Sequence, residues 1–416
     1  MIFRQWLWTA LLVGPFAAST AFAAPPSDAE IDARARDIDA RILKIDAHTD
    51  VLLPGSSELD YAPGHTSRTD LDNLTKGGIG AVAFAIAVGP GPRTSQGVRA
   101  ARSEADAKLA WIRAFIKDHP REVALALTAE DVERIHAANK VAIIESFLNA
   151  RSLGRDLSAI NIFQRNGVRL VGLAHAGNNE FADSSRPTGD PAVEHHGLSP
   201  LGQQSIAVLN KLGIIIDVSQ LTPDGVLQTT SLSKAPVIAS HSDVRALVDN
   251  TRNLSDAELD AIKSNDGVVH VTPFNPYLRP LSNDFDARAA VLRKRFGLPP
   301  TNRHGPIGAE EGLDALQADK RAAFMREFRE LMPKATLSDY VDHIDYLVRR
   351  IGADHVGIGT DFNHGAGVVG FNDEGEAPNV TRELVRRGYT EEQIRQIWGG
   401  NFLRVFRRVE AFAGGK

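Results

Sequence analysis

Seven residues able to bind a metal or transfer a proton share one feature: they occupy the last positions of short apolar segments. They are His48, Asp50, Glu145, His175, Gln220, His241 and Asp361. Imidazole and carboxylate ligands suit a hard to borderline divalent ion, with zinc as the best match and manganese or iron as alternatives. Thiolate ligands are excluded, because the 416-residue chain has no cysteine. The pattern predicts a metal site if the segment ends meet in space.

Each of these residues also has an ordinary structural role open to it. A lone strand-end histidine, such as His175 or His241, more often makes a packing hydrogen bond. Glu145 alone would more often cap the following helix, and Asp361 alone could belong to a turn. The joint occurrence at five or more segment ends favours a shared site, because unrelated packing roles would not all fall at one end of the fold.

Eight runs of β-branched and small apolar residues predict the strands that must position these side chains. The runs cover residues 45–50, 81–88, 141–145, 168–175, 214–220, 236–241, 268–272 and 356–362. Helical patterns lie between several of them, for example over residues 200–212, 255–264 and 340–351. Buried strands that alternate with helices predict an α/β fold, a (β/α)8 TIM barrel, whose active sites lie at the carboxyl ends of the strands.

Three further features are placed relative to this barrel. Residues 123–127 read as an additional strand, an extra hairpin or an approach to the barrel. The charged, helical stretch 279–337 is too long for a βα loop, so we expect a helical insertion after the seventh strand that folds over the barrel mouth. Gly357 and Gly359 precede Asp361 on one strand face and are expected to leave room beside it for substrate or water.

The amino terminus predicts export. Arg4 precedes an apolar run over residues 6–16, and the A-x-A pattern of a signal-peptidase site follows at residues 21–23. We therefore interpret residues 1–23 as a signal peptide and 24–416 as one hydrolase barrel domain. A membrane anchor is the alternative, and it is disfavoured because the run is shorter than the ~20 residues that a span needs. The mature protein is expected to be periplasmic or secreted, with no membrane anchor.

The charge balance constrains the partners. The chain carries 47 basic and 52 acidic residues, a formal net charge of -5. This lacks the basic excess of a nucleic-acid-binding protein, so we expect a small-molecule substrate and no nucleic acid. The oligomeric state stays open, and a homodimer is compatible with the sequence.

Several motifs, taken in order, resemble the membrane (renal) dipeptidase family of the amidohydrolase superfamily. They include IDAHTD at 45–50, GGIG at 77–80, APVIASHS at 235–242, TRNL at 251–254 and GIGTDF at 357–362. The resemblance runs from about residue 44 to the carboxyl terminus. It implies a zinc-dependent hydrolase that cleaves the amide bond of a small peptide or an N-acyl amino acid.

The resemblance also implies a set of metal ligands. His48, Asp50 and Glu145 would bind one zinc ion, Glu145 would bridge to a second, and His241 would bind that second ion. One position departs from the family pattern, because Gln220 stands where the family has a histidine. An amide is a weaker zinc ligand than imidazole, so we expect one tightly bound Zn2+ and leave the second open.

Three further residues receive catalytic or binding roles from the resemblance. His175 would contact the developing oxyanion and the substrate, and Arg252 would hold the substrate carbonyl or carboxylate. Asp361 would take a proton from water and deliver it to the leaving amine.

Two other functions remain open at the level of sequence. Gln220 motivates the first, a periplasmic maturation enzyme that acts on a peptidic precursor with a reduced or altered metal site and no dipeptidase activity. The second is a non-catalytic small-molecule binder, which ranks last because all five candidate residues are retained: His48, Asp50, Glu145, His241 and Asp361.

The signal-peptide interpretation makes a direct prediction. Because the A-x-A pattern ends at Ala23, intact-mass analysis of the exported protein should show Ala24, or a near neighbour, as the first residue. A mature protein that still begins at Met1 would contradict the predicted localisation.

Overall fold

The computed structural model describes residues 26–53, 67–188 and 191–415. The predicted signal peptide lies outside these ranges. Within them, no helix combines the length and the apolar character needed to cross a membrane.

Eight parallel strands form a nearly closed barrel, which confirms the predicted α/β barrel architecture. Its strand order is β1-β2-β4-β5-β6-β7-β8-β9. The ninth strand, β3, lies off this path and pairs with β4. The bounds are β1 Lys44–Asp50, β2 Ile79–Ala87, β3 Val123–Leu125, β4 Val141–Leu148, β5 Val168–Gly172, β6 Ile215–Asp217, β7 Ile238–Ala239, β8 Val268–Val271 and β9 Val356–Ile358.

Helices occupy most of the connections between these strands. Their bounds are α1 Asp28–Asp39, α2 Leu71–Gly77, α3 Ser95–Asp118, α4 Ala129–Ala137, α5 Ser158–Arg165, α6 Pro200–Leu212, α7 Pro223–Leu232, α8 Asp256–Ser264, α9 Asn275–Leu278, α10 Phe285–Arg295, α11 Gly305–Glu310, α12 Ala318–Arg329, α13 Leu337–Ile351, α14 Ala377–Arg386, α15 Glu391–Arg395 and α16 Asn401–Ala413. Many begin with a side-chain cap, as Thr336 and Asp339 cap each other's backbone at α13.

The barrel closes where β1 meets the segment that follows β9. The backbone N–H of Asp361 donates to the carbonyl of His48 at 2.8 Å, and that of Asp50 donates to the carbonyl of Phe362 at 3.1 Å. These bonds bring the carboxyl ends of the first and last strands side by side.

Small and branched residues fill the barrel interior. Ala81, Ala83 and Ala142 face Leu170 and Ile215 across it. Side chains from α16 belong to the same cluster, among them Phe402, Phe406 and Val409. The interior is therefore a packed core, as expected for an eight-stranded barrel, and the open space lies outside the strand ends.

The structure corrects two details of the predicted elements. Val123–Leu125 pairs with β4 in parallel, so it cannot form a hairpin with it. Several strands also end two to four residues earlier than expected, as β6 does at Asp217 and β9 does at Ile358. Gln220 and Asp361 adopt positive φ angles of 70° and 52°, which take the chain out of the extended conformation.

Four helices, α9 to α12, lie between β8 and α13. Residues of α10 to α12 build a hydrophobic cluster of their own, with Phe285, Phe324 and Phe328 at its centre. The buried guanidinium of Arg293 donates to the carbonyls of Pro299 and Ala309 and ties this cluster together.

Candidate metal centre

A buried group of two histidines and one aspartate lies at the barrel mouth. Ligand atoms of His48, His241 and Asp361 are all within 4.8 Å of one another. His48 Nε2 is 3.3 Å from Asp50 Oδ1 and 3.7 Å from Asp361 Oδ1. With Gln220, whose amide lies 3.1 Å from His241, the structure thus brings together five of the seven residues that the sequence singled out.

A register irregularity in β1 turns His48 toward this group. Ile45 and Ala47 already face the barrel interior. The pairing with β2 shifts between Asp46 and Thr49, and beyond that shift His48 stacks on the ring of His241 with centroids 3.9 Å apart. A β-bulge of this kind redirects a side chain next to a site.

The Ser240 hydroxyl contacts the Nδ1 atoms of both imidazole rings. Ser240 Oγ donates to Asp217 Oδ2 at 2.6 Å and lies 2.7 Å from His241 Nδ1 and 3.4 Å from His48 Nδ1. With its own proton given to Asp217, Ser240 accepts one from His241 Nδ1 and leaves a lone pair on His241 Nε2. A metal ligand requires such a lone pair, and burial lowers the pKa of His241 well below its ordinary value.

Gln220 already uses that lone pair. Its amide Nε2 lies 3.1 Å from His241 Nε2, whereas Gln220 Oε1 is buried with no partner among the described residues. The expected position of Gln220 beside His241 is therefore what the structure shows. The same Nε2 atom of His241 can accept the amide N–H or bind a metal, so the two compete.

His364, which the sequence analysis did not single out, completes the surroundings of Asp50. His364 Nδ1 is 3.0 Å from Asp50 Oδ2, and its ring packs edge-on to His175 at 5.2 Å. Burial works against the charged form, but Asp50 raises the pKa of His364 to about 9. His364 follows Asp361 by three residues, and both lie beyond the carboxyl end of β9. This spacing is the sequence signal that could have identified it.

Asp361 projects from a strained backbone position next to His48. Burial raises the pKa of its carboxyl group, while His364 and His48 act in the opposite direction. The expectation that Gly357 and Gly359 leave room for substrate is wrong. A Cβ at Gly357 would come within 2.2 Å of the His270 ring, and one at Gly359 within 1.8 Å of the Ser240 carbonyl oxygen. Glycine is needed at these two positions because the His270 ring and the Ser240 carbonyl occupy the space that a side chain would fill.

Glu145 lies on the opposite side of its strand from the metal group. Its neighbours Ala142 and Ile144 belong to the barrel interior, whereas Ile143 and Phe147 pack in the outer core. Successive side chains alternate, so Glu145 points outward with the second pair. There its Oε1 is 4.0 Å from Arg113 of α3. The predicted ligand and bridging roles of Glu145 are therefore not compatible with its position.

The inward position at the mouth end of β4 belongs to Leu148. A Cβ at Gly172, on the neighbouring strand, would lie 2.6 Å from Leu148 Cδ1 and 3.4 Å from Asp217 Oδ2. An apolar side chain therefore stands beside the residue that supports the two imidazoles, and this strand contributes no carboxylate to the centre.

His175 lies at the edge of the group and is neutral. Its Nδ1 is 3.2 Å from the carbonyl oxygen of Val88, and burial lowers its pKa well below the ordinary value. A neutral ring that donates from Nδ1 carries only a lone pair at Nε2. A hydrogen bond from His175 to an oxyanion would therefore require an imidazolium, which burial disfavours.

Arg252 and Arg186 reach a cavity of about 920 Å3 that opens beside His364. Arg252 donates to the carbonyl of His241 at 3.1 Å and stands over the ring of Tyr277, while its buried Nε has no partner among the described residues. Arg186 is 4.0 Å from Glu310 of α11. No sequence pattern singled out this arginine.

The donor set fits a divalent ion. Three buried ligand atoms have no hydrogen-bond partner among the described residues: His48 Nε2, Asp50 Oδ1 and Gln220 Oε1. His48 belongs to the cluster with His241 and Asp361. Unsatisfied buried ligand atoms of these types are what a metal site requires.

Comparison with known proteins agrees with this chemistry. The model of the family described as membrane dipeptidase (peptidase family M19) matches residues 32–415. The chain belongs to the membrane dipeptidase family. It is therefore an enzyme of the dipeptidase type, a hydrolase with a buried two-histidine, one-aspartate cluster suited to a metal.

Individual relatives support the assignment. The dipeptidase tcpJ of Claviceps purpurea is 30% identical over 349 residues, which cover 83% of this chain and 70% of that protein. The crystal structure of the probable dipeptidase PvdM from Pseudomonas aeruginosa has 38% identity and a TM-score of 0.81, over 92% of this chain and 99% of that one. A metallo peptidase from Rhodobacter sphaeroides, liganded with a phosphinate mimic of the dipeptide L-Ala-D-Ala, shares the fold at 24% identity and a TM-score of 0.68, over 88% and 99% of the chains.

The position of His48 predicts a loss of metal on substitution. We expect His48→Ala to lose bound metal and to lower kcat/KM by at least about 100-fold, because second-sphere changes alone cost about 10- to 100-fold. His195→Ala is the control, since its Nε2 contacts the backbone carbonyl of Asn179 at 2.8 Å and lies 4.0 Å from Glu194 Oε2, and neither residue belongs to the cluster. Metal analysis and activity assays would measure both, and equal metal content in the two variants would place the site elsewhere.

The outward position of Glu145 predicts an effect on stability rather than on metal binding. Burial raises the pKa of Glu145 to about 7 from an ordinary 4.5, so the folded protein holds this proton while the unfolded chain releases it. Stability should therefore fall as pH rises from about 4.5 to 7 and then level off.

Glu145→Gln should remove this component of the pH dependence. Since a tenfold change in proton affinity corresponds to about 1.4 kcal/mol, we expect the variant to gain on the order of 2–3 kcal/mol relative to wild type between pH 4.5 and pH 8. Denaturant unfolding at several pH values would measure this gain, and metal content should stay unchanged. A loss of metal in Glu145→Gln would restore it as a ligand.

Proposed function

We propose that the protein is an exported zinc-dependent hydrolase that cleaves the amide bond of dipeptides or N-acyl amino acids. The buried cluster of His48, His241 and Asp361 carries the proposal, because it offers ligand atoms within 4.8 Å at a barrel mouth. Such a cluster at the carboxyl ends of barrel strands is the usual place for catalysis.

His48, Asp50 and His241 would hold the ion, and Gln220 could join them through Oε1 after its amide turns away from His241. We assign no ligand role to Glu145, so the proposed set has fewer carboxylates than the sequence indicated. When bound, a divalent ion polarises the scissile carbonyl and a water molecule.

Asp361 would move the proton. Burial raises the pKa of its carboxyl group, which makes the carboxylate a better proton acceptor. Its side chain is 3.7 Å from His48, at the centre of the cluster. It would take a proton from water and deliver it to the leaving amine without a covalent intermediate.

Arg252 would bind the substrate carboxylate. Its guanidinium is held at one nitrogen by the His241 carbonyl and stacked over Tyr277, which leaves its Nε facing no other described group. A guanidinium fixed in this way suits a carboxylate. His175, whose ring packs against that of His364, would contact substrate as an acceptor at Nε2 or, when protonated, as a donor.

Helices α9 to α12 would serve as the helical insertion that covers the barrel mouth. Tyr277 of α9, Phe285 of α10 and Glu310 of α11 line the cavity together with Arg252 and His364. A cover of this kind would exclude water from the reacting groups.

The alternative is a periplasmic maturation enzyme that acts on a peptidic precursor and has no dipeptidase activity. Two observations favour keeping it: Gln220 occupies the lone pair of His241, and Leu148 stands at the mouth end of β4. Both features would weaken a second metal position.

Metal content and a dipeptide panel would separate the two functions. We expect about one tightly bound zinc ion in the wild-type protein and a rise toward two in Gln220→His, because imidazole is the better zinc ligand. Activity on simple dipeptides should rise with the second ion. Gln220→Leu is the control, since it frees His241 Nε2 but adds no ligand.

Two results would contradict this prediction in different ways. Two tightly held ions in the wild-type protein would indicate an ordinary binuclear peptidase. No ion after zinc reconstitution, together with no dipeptide cleavage, would favour the maturation enzyme.

A further inference from the structure

The cavity beside the metal cluster has two unlike walls. The guanidinium groups of Arg252 and Arg186 form a cationic floor next to the cluster. The facing wall comes from α10 to α12 and the segments around them, and its apolar side chains are Phe285, Leu313, Met325, Phe328 and Met332. A ligand that fills the cavity must therefore be anionic at one end and apolar at the other.

The apolar wall rests on a rigid base. Phe285 and Phe328 belong to the separate hydrophobic cluster of this segment, and Leu313, Met325 and Met332 pack against it while remaining partly exposed. Arg303 donates to the carbonyl of Pro187 at 3.1 Å and so tethers the segment to the loop that carries Arg186. This hydrogen bond connects the segment that forms the apolar wall to the loop that carries Arg186 of the cationic floor.

Charged residues of the segment line the cavity beside these apolar side chains, among them Arg321 and Arg329 of α12. His304 and Asp286 form an ion pair at 2.8 Å, and the backbone N–H of Gly305 also donates to Asp286. Glu310 lies 4.0 Å from Arg186. His304 and Asp286 are therefore paired with each other, and the arginines give the lining a positive polar part next to its apolar part.

The size of the cavity exceeds the needs of a simple dipeptide. Its volume of about 920 Å3 lies near the top of the range of about 300–1,000 Å3 for sites that bind drug-sized ligands. An amino-acid side chain has a limited length, whereas an acyl chain can extend along the whole wall.

We infer that the preferred substrates are amino acids or short peptides whose amino group carries a long apolar acyl chain, with Phe285, Met325 and Phe328 as the acyl subsite. This inference rests on the proposed amide hydrolysis for the position of the scissile bond. The carboxylate at Arg252 and the acyl chain on the apolar wall would place the amide between them, beside His48 and Asp361.

An acyl-length series tests the subsite on the zinc-loaded full-length mature protein. N-acetyl-, N-hexanoyl- and N-decanoyl-alanine would be compared by kcat/KM and, independently of turnover, by calorimetric affinity. Burial of each methylene should increase kcat/KM and affinity by about fourfold, until the wall is covered. A second series, N-acetyl-glycine, -leucine and -tryptophan, varies the carboxyl-terminal side chain instead.

Two variants of the same segment locate the effect. Met325→Glu places a charge on the wall and should abolish the dependence of kcat/KM and of affinity on acyl length. Val291→Glu is the matched control, because Val291 is 71% exposed on α10 and does not line the cavity. It should retain the wild-type gradient, which also shows that an added charge does not unfold the segment.

The outcomes separate this inference from the proposed hydrolysis. Equal kcat/KM for all acyl lengths, or a gradient in the carboxyl-terminal series alone, would overturn the acyl subsite and leave amide hydrolysis standing. Absence of cleavage, together with a length-dependent affinity that Met325→Glu removes, would overturn the hydrolysis and support the subsite.

Discussion

The carboxylate of Asp46 accepts hydrogen bonds from the backbone N–H of His48 at 3.1 Å and of Thr360 at 2.7 Å, and from the Thr360 hydroxyl at 2.9 Å. It thereby joins the first barrel strand to the segment that follows the last one. His48 and Asp361 are the next residues on either side of this junction. Their separation depends on barrel closure, and without it a parallel sheet would leave them at opposite edges.

A second buried carboxylate performs the corresponding task on the other side of the cluster. Asp217 receives the hydroxyl proton of Ser240, which orients His241 and lies within reach of His48. The arrangement determines which ring nitrogen of His241 carries a proton and which offers a lone pair. Gln220 then competes for that lone pair, so the same hydrogen-bond chain that prepares a metal ligand also restrains it.

The large cavity links this centre to the separately packed helices α10 to α12. A barrel core alone is filled by its own side chains and has no room for substrate. The cavity is lined by Arg252 and His364 together with apolar side chains of α10 to α12. Substrate specificity in such a site depends on the cavity lining as much as on the catalytic group, because the substrate must match the shape and polarity of that lining.

The sequence by itself determined the barrel, the family and most of the metal cluster, because buried parallel strands read as short apolar runs and their polar ends are visible as types and spacings. Tertiary structure decided the direction of each side chain. Glu145 is one position out of phase with the inward face of β4, and a shift of one residue moves a side chain to the opposite face. The role of His364 likewise depends on Asp50, more than 300 residues earlier, a distance that only folding removes.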